Sequence, residues 1–263
     1  MVETIISETV GVAGIDIQLC TTGQGEPLLF LHSGPGPTYD SREFLVKLGQ
    51  DNAVLAPYHP GFGPLPRPDD FETIDDLAYC YMGLLNARRL RGIPVIGASI
   101  GGWIAAEIAI RDPAAFAALI LINPLGLRVG APMDRPIADI WAMSRAERRR
   151  IQFHQPLFQT DHLDQRSDQE LLELARFEET LVRYAWRPFL HNPRLGRWLR
   201  RIQAPTLVIR GDEDNFVSGT IHDAFVEQLP QAHIARVGNA GHHPHVEQPD
   251  EVISLIRNFL RAR

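Results

Sequence analysis

Five residues constrain this chain more than any others: Gly97-Ala98-Ser99-Ile100-Gly101. They lie between a short apolar run, Ile93-Pro94-Val95-Ile96, and a helix-like stretch over 102–109. Glycine and serine are common loop residues, so a bare G-x-S-x-G says little. Placed between a strand and a helix, it specifies a sharp turn with its serine in a strained backbone conformation. The small residues two before and two after that serine keep the neighbouring segments from clashing. Such a turn lifts the Ser99 hydroxyl above the sheet edge and aims the N–H of Ile100 at the same small volume. One motif thus supplies a nucleophile and half of an oxyanion hole.

The rest of the chain alternates in a way that suits this turn. Residues 4–10 and 15–20 read as a β-hairpin, and 27–32 as a buried strand ending in a Gly/Pro loop. A short helix over 42–48 precedes a strand at 53–56. Thr73 and Asp76 are placed to cap a helix reaching Arg89. After the strand at 93–96 and the helix to Arg111, residues 117–122 form another buried strand. Strand runs resume at 205–210 and 233–237, and an amphipathic helix closes the chain at 250–261. Strands separated by helices imply an α/β class fold with a mostly parallel sheet covered on both faces.

Between residues 125 and 200 the alternation stops. That stretch shows helical patterns at 137–143, at 145–153 and after the capping box Ser167…Glu170 up to Trp186. It is too long for an ordinary loop and lacks strands to extend the sheet. The expected organisation is a core made of 1–124 and 201–263, with 125–200 inserted as a helical cap over the strand ends. With 263 residues, 44% of them hydrophobic, the chain suits one large domain with such an insertion.

Charge and composition exclude several partners. The formal net charge is −6, which leaves no electrostatic footprint for nucleic acid. Lys47 is the only lysine, so arginine carries nearly all the positive charge. The densest cluster is Arg145, Arg148, Arg149 and Arg150, behind the capping pair Ser144 and Glu147; it reads as the solvated face of a helix. Cys20 and Cys80 are far apart and form no C-x-x-C, in keeping with reduced thiols in the cytoplasm. The start, Met1-Val2-Glu3-Thr4, has no basic region or apolar core of a leader, and no run approaches the ~18 apolar residues of a membrane span. No cofactor is implied. The expected partner is a small-molecule substrate, and self-association stays open.

A serine hydroxyl needs a base within hydrogen-bond reach, and that base needs an orienting acceptor. Both belong on loops at the carboxyl ends of later strands. One such loop is Gly211-Asp212-Glu213-Asp214-Asn215-Phe216-Val217. Asp212 sits close to the strand end, where it can simply cap the loop; Asp214 lies further out and is modestly favoured as the orienting acid. The other loop is Gly238-Asn239-Ala240-Gly241-His242-His243-Pro244-His245. Its H-H-x-H spacing is awkward for one metal, and no cysteine or carboxylate cluster completes a site, so no metal is expected. His242 follows a glycine that turns the loop inward and is the first candidate base; His243 and His245 read as surface or supporting residues. The second oxyanion donor is expected from His32-Ser33-Gly34-Pro35-Gly36-Pro37, where Gly34 has an N–H to offer and the prolines do not. His32 reads as a stabiliser of that loop.

These pieces together resemble the α/β-hydrolase superfamily along nearly the whole chain. The resemblance rests on His32-Ser33-Gly34-Pro35-Gly36, the 56–63 segment with Gly61-Phe62-Gly63, the elbow with Gly102, Gly211-Asp212-Glu213-Asp214, and Gly241-His242 followed by Glu247-Gln248-Pro249. It implies the α/β-hydrolase fold and a triad of nucleophile Ser99, acid Asp214 and base His242. It also implies oxyanion donation from Ile100 and Gly34, with the 125–200 insertion as cap. Tyr58, beside His59, stands where family members often carry aspartate, and Ser33 where they often carry glycine. Tyr58 and His59 read equally as loop packing or as the edge of the pocket.

On this basis the expected function is a serine hydrolase, a serine esterase acting on a small, largely apolar carboxylic ester or lactone through an acyl-enzyme on Ser99. Ser33, Tyr58, Trp141, Phe153 and Trp186 are candidate substrate-binding residues, with Met143, Phe158 and Phe189 as further cap residues that could line the acyl pocket. The nearest alternative is C–C bond hydrolysis of a vinylogous diketone. Relatives with that chemistry tend to carry tryptophan directly after the catalytic histidine, where this chain has His243. A third reading, from another class, is a ligand-binding protein of the same fold without turnover.

Overall fold

The alternating buried runs pair into a single sheet. The computed structural model describes residues 4–131 and 133–262. The expectation about the first residues falls on Met1-Val2-Glu3, outside that range. Eight strands are found among the described residues: β1 (Ile6–Val12), β2 (Ile15–Thr22), β3 (Glu26–Leu31), β4 (Asn52–Pro57), β5 (Ile93–Ala98), β6 (Phe116–Ile122), β7 (Thr206–Gly211) and β8 (Ala232–Val237). Their order in the sheet is β1-β2-β4-β3-β5-β6-β7-β8. The β1–β2 and β2–β4 pairs are antiparallel and every other pair is parallel.

The helices are α1 (Arg42–Gly49), α2 (Ile74–Ala87), α3 (Ile100–Arg111), α4 (Arg145–Gln152), α5 (Asp168–Ala185), α6 (Leu195–Trp198), α7 (Gly219–Gln228), α8 (Pro244–Glu247) and α9 (Pro249–Arg261). The capping pair read at Thr73 and Asp76 starts α2: Asp76 N–H donates to Thr73 Oγ1, and Thr73 N–H to Asp76 Oδ2 at 2.8 Å.

Side-chain alternation along the strands divides the core into two layers. Leu28, Phe30, Ile96, Ile120 and Ile209 face one way, onto Phe44 and Leu45 of α1 and Val252 and Ile256 of α9. Leu29, Leu31, Val95, Leu119 and Val208 face the other way, in the layer that holds Leu77 of α2, Ile104 of α3 and Phe225 of α7. Both faces of the central strands are therefore apolar, which is why they read as unbroken hydrophobic runs. Phe30 and Leu31 are fully buried; truncating either to Ala would cost roughly 3 kcal/mol or more.

The stretch between β6 and β7 is helical, with α4, α5 and α6 inserted over the sheet. Helix α5 grips the loop after β4: Thr180 Oγ1 donates to Gly61 O, Tyr184 OH to Pro60 O and Arg176 to Pro64 O, each at 3.0 Å. The helix expected at 137–143 is only a 3₁₀ turn, Ile140–Ala142. Asp139 accepts the N–H groups of Trp141 and Ala142 and caps that turn, Met143 is extended, and Ile137 bridges to Val217 instead. Helix α7 was not legible in sequence. Its first residues, Gly219 and Thr220, are poor helix formers, and burial of Ile221, Ala224 and Phe225 overrides them.

Candidate active site

The elbow takes the form its sequence demands. Ser99 joins β5 to α3 with φ 53° and ψ −114°. A Cβ on Gly97 would come within 2.5 Å of Gly101 O, and one on Gly101 within 2.1 Å of Leu31 O. Only glycine allows this approach of helix to strand. Ile100 begins α3, so its N–H has no partner within the helix and remains available at the turn.

His242 Nε2 lies 2.8 Å from Ser99 Oγ, and His242 Nδ1 lies 2.8 Å from Asp214 Oδ2. The other carboxylate oxygen of Asp214 accepts the N–H groups of Phe216 and Val217 at 2.8 and 2.9 Å. These donors hold the carboxylate in place. An ionised carboxylate only accepts, so Nδ1 carries the proton and Nε2 accepts from the serine hydroxyl. Both side chains are shut off from water, at 0% and 1% exposure. Asp212 turns away and accepts from Arg236 Nε at 2.6 Å, while Glu213 accepts the Ala240 N–H. Of the three carboxylates on that loop, the geometry joins Asp214 to the histidine.

Three anchors of this network had no role assigned to them in sequence. Asn123, directly after β6 with φ 40°, donates to Gly241 O and His242 O and accepts from Gly211 N–H, tying three loops together. A lone asparagine ending an all-apolar strand was the available signal. Glu247 accepts the N–H groups of Gly241 and Gln155, each at 2.6 Å, which joins the histidine loop to the cap; burial pushes its carboxyl pKa up. The His242 N–H itself donates to Gln152 O at the end of α4, at 2.7 Å.

The loop after β3 is locked from below. His59 N–H donates to His32 Nε2 at 3.0 Å, so the His32 proton sits on Nδ1, which donates to Ser33 O at 3.0 Å. His59 in turn donates from Nε2 to His32 O and accepts on Nδ1 from Tyr81 OH at 2.6 Å. The two rings stack with centroids 3.8 Å apart. Burial pushes both pKa values down, that of His59 to about 4, so the pair is neutral. Gly34, at φ 61°, then turns the loop toward Ser99.

Ser33, Gly34, Ser99, Ile100, Phe153 and His243 line one cleft. Tyr58 is not on its wall; its hydroxyl bonds Thr38 Oγ1 at 2.9 Å and its ring meets His32 edge-on. Trp141 and Trp186 are also off the wall: they pack on each other and on Phe189, and Trp186 is 53% exposed. His243 and His245 are not surface residues. His243 lies tilted against Phe153 at 4.8 Å with Nδ1 3.3 Å from Ser33 Oγ; His245 sits between Phe30 and Phe44 and bonds Ser41. Among the described residues no group of three or more His, Cys, Asp or Glu is placed to hold a metal ion, and no helix is long and apolar enough to cross a membrane.

The basic cluster is corrected too. Only Arg150 keeps to solvent. Arg149 is buried, and Arg145, Arg148 and Arg149 line the cleft, drawn in by Asp40, Asp161 and Glu178 from other parts of the chain.

The profile of a family described as "Alpha/beta hydrolase family" matches residues 28–255. The chain is 30% identical to the 2-hydroxymuconate semialdehyde hydrolase of Pseudomonas sp. (strain CF600), over 97% of this chain and 94% of that protein. It is 26% identical to a 2-hydroxy-6-oxo-2,4-heptadienoate hydrolase of Pseudomonas putida, over 98% and 97%. A solved meta-cleavage product hydrolase from Pseudomonas fluorescens IP01 superposes with a TM-score of 0.79 at 21% identity, over 97% of each chain, and shows the shared fold. Further relatives carry names of the same kind, hydrolases of a semialdehyde or of oxo-dienoates and a dienedioate. These relatives overturn the expected ester or lactone specificity, and with it the reading of a serine esterase. The signal that misled was His243 in place of tryptophan: the position still presents a flat ring against Phe153. With its elbow, its Ser-Asp-His order and a family match over 28–255, this chain belongs to the alpha/beta hydrolase family.

Proposed function

We propose that this protein hydrolyses a carbon–carbon bond in a 2-hydroxy-6-oxo-dienoate, a vinylogous diketone. The observation that carries the reading is the likeness to 2-hydroxymuconate semialdehyde hydrolase over 97% of the chain. The site supports it, because a ketone carbon presents the electrophile that the serine oxygen attacks while an oriented imidazole takes its proton and two N–H donors receive the oxyanion.

In this mechanism the substrate first shifts its 2-enol proton to C5, giving the 2,6-dioxo form. Ser99 Oγ adds to the C6 ketone while His242 Nε2 takes its proton, and the N–H groups of Ile100 and Gly34 receive the oxyanion. Asp214 holds the imidazole and stabilises its cation. The C5–C6 bond then breaks, and its electron pair moves through the conjugated chain to the C2 oxygen as a dienolate, which is protonated. Water assisted by His242 releases the acid from Ser99. The sum is one water consumed, one carboxylic acid and one 2-hydroxydienoate formed. Residues 125–200 act as the cap that shelters this intermediate from bulk water. We also propose a cytoplasmic setting, in keeping with Cys20 and Cys80, both free and buried.

The test is incubation of the purified protein with 2-hydroxy-6-oxohepta-2,4-dienoate in ¹⁸O-water. Acetate carrying the label and one equivalent of 2-hydroxypentadienoate are expected. Folded protein whose serine reacts with a fluorophosphonate but which leaves this substrate and 2-hydroxymuconate semialdehyde intact would overturn the reading.

A further inference from the structure

The cap is anchored to the core at two places, and only one of them reaches the triad. Helix α5 bonds Pro60, Gly61 and Pro64 in the loop after β4, none of which carries a reacting group. The end of α4 instead meets both loops that carry the acid and the base. Ile151 O accepts the Asn215 N–H at 3.3 Å, next to Asp214, and Gln152 O accepts the N–H of His242 itself at 2.7 Å. The approach is close: a Cβ on Gly241 would come within 2.6 Å of Gln152 O and 3.0 Å of His154 N.

The main chain at the base is bonded from two sides. From the sheet side, Asn123 Nδ2 donates to Gly241 O and His242 O. From the cap side, Gln152 O takes the His242 N–H, and Glu247 Oε2 takes the Gly241 N–H at 2.6 Å. The other oxygen of Glu247, Oε1, takes the Gln155 N–H, also at 2.6 Å, while Gln155 Nε2 donates to Glu247 O and Asn239 O. One carboxylate at the end of α8, 5% exposed, thus spans the histidine loop and the cap. Its two donors are peptide N–H groups from separate elements, so each needs an oxygen of its own. A glutamine has one acceptor oxygen, and its NH₂ would face the second N–H. A buried carboxylate held by neutral donors is costly to keep. Burial pushes the Glu247 pKa up, and the Gln155 and Gly241 N–H groups push it back.

We infer that Glu247 is a positioning residue for the base: it clamps the loop of His242 to the end of α4, so that His242 meets Ser99 only while the cap is seated on the core. Releasing either N–H frees the Gly241–His242 segment on its cap side and lets the imidazole, 2.8 Å from Ser99 Oγ, drift from the serine. A displacement of about 1 Å is enough to cost on the order of 10²-fold in rate. The cap is then more than a cover, because a movement that lifts α4 also disengages the base. This inference rests on the serine–histidine chemistry proposed above and not on which bond is cleaved.

The experiment measures the second-order rate constant for labelling of Ser99 by a small fluorophosphonate, on the whole protein and well below the melting midpoint of each variant. Labelling needs the base but no ketone, so a protein that labels and leaves dienoates intact fails the carbon–carbon reading alone. Glu247→Gln is expected to slow labelling at least about tenfold. Tyr184→Phe, which breaks a bond of the α5 anchor, is expected to lower the midpoint and keep the rate within about twofold. If Glu247→Gln does not fold, the other end of the clamp decides. Gln155 has φ −74°, which proline adopts, so Gln155→Pro removes the N–H that Glu247 accepts, whereas Gln155→Ala keeps it. The proline variant is expected to label at least about fivefold more slowly than the alanine variant. An undiminished rate in Glu247→Gln, an equal loss in Tyr184→Phe, equal rates for the proline and alanine variants, or a wild type that does not label would overturn the inference.

Discussion

The floor of the cleft and its roof are built by different physics. The floor is made by main chain: a strand-to-helix turn at Ser99, a left-handed Gly34, and loops at neighbouring strand ends joined by Asn123. Backbone groups fix its acid: Asp214 accepts the N–H groups of Phe216 and Val217. The roof is made by side chains. Its arginines stay in place because Asp40, Asp161 and Glu178 reach them from distant positions. A floor of this kind keeps its geometry when a reacting side chain changes. A roof of paired charges loses a partner whenever one member is removed, and the remainder is left as an uncompensated charge. The nucleophile, base and acid thus stand on the backbone-held floor, and the charge network of the cleft stands in the roof.

The largest expected effects break the floor chemically without moving it. Ser99→Ala should lower kcat for ketone cleavage by on the order of 10⁴-fold or more, with the thermal midpoint unchanged. Steady-state rates and a melting curve on the same sample check this, and substantial residual turnover would remove Ser99 as nucleophile. Asp214→Asn should cost about 10³- to 10⁴-fold, because the imidazole loses its orienting acceptor. Asp212→Asn, which only releases Arg236, should stay within about twofold. The opposite ranking would put the acid at 212.

The next test separates roof from floor. Asp161→Asn should destabilise the fold by roughly 3 kcal/mol, because Arg145, Arg149 and Arg166 lose a common, nearly buried partner. Denaturant unfolding measures it; a change under about 0.5 kcal/mol would mean that the roof pairs are as weak as exposed ones.

At pH 6 and above, where activity is measured, the smallest expected effect concerns the lock beneath the floor. The pKa of His59 is about 4 in the folded protein, below the ~6.5 of an unfolded chain. Between those values the unfolded chain binds a proton that the folded chain refuses. Its contribution to stability is therefore complete above pH ~6.5 and declines as pH falls toward 4, by about 1.4 kcal/mol per pH unit. His59→Gln should flatten the pH dependence of unfolding by that slope between pH 6 and about 4.5. An unchanged slope would show that the folded protein takes up the proton at this site after all.

Much of the floor was legible because its requirements are local. A serine between a strand and a helix with glycines at two before and two after has few conformations open to it, and the Ser…Asp…His order follows from strands that succeed one another in the sheet. Even there, Asp214 and Asp212 differ by two positions, and only the hydrogen bond to His242 separates them. The roof was misread for the opposite reason. Arg145, Arg148 and Arg149 follow a capping box and look like any charged helix face, and the acids that draw them inward lie up to about a hundred residues away in sequence. Likewise, Trp141 and Trp186 have the composition of a pocket lining, yet they pack on each other.

By itself the sequence determined the α/β alternation, the elbow with its serine and the helical insertion, because backbone sterics and hydrophobic periodicity act over a few neighbouring residues. Tertiary structure decided which acid meets the histidine, which cap residues face the cleft and which charged groups are drawn inward to pair. Those depend on charges and rings brought together from separate elements, and a charge pair has no period to read.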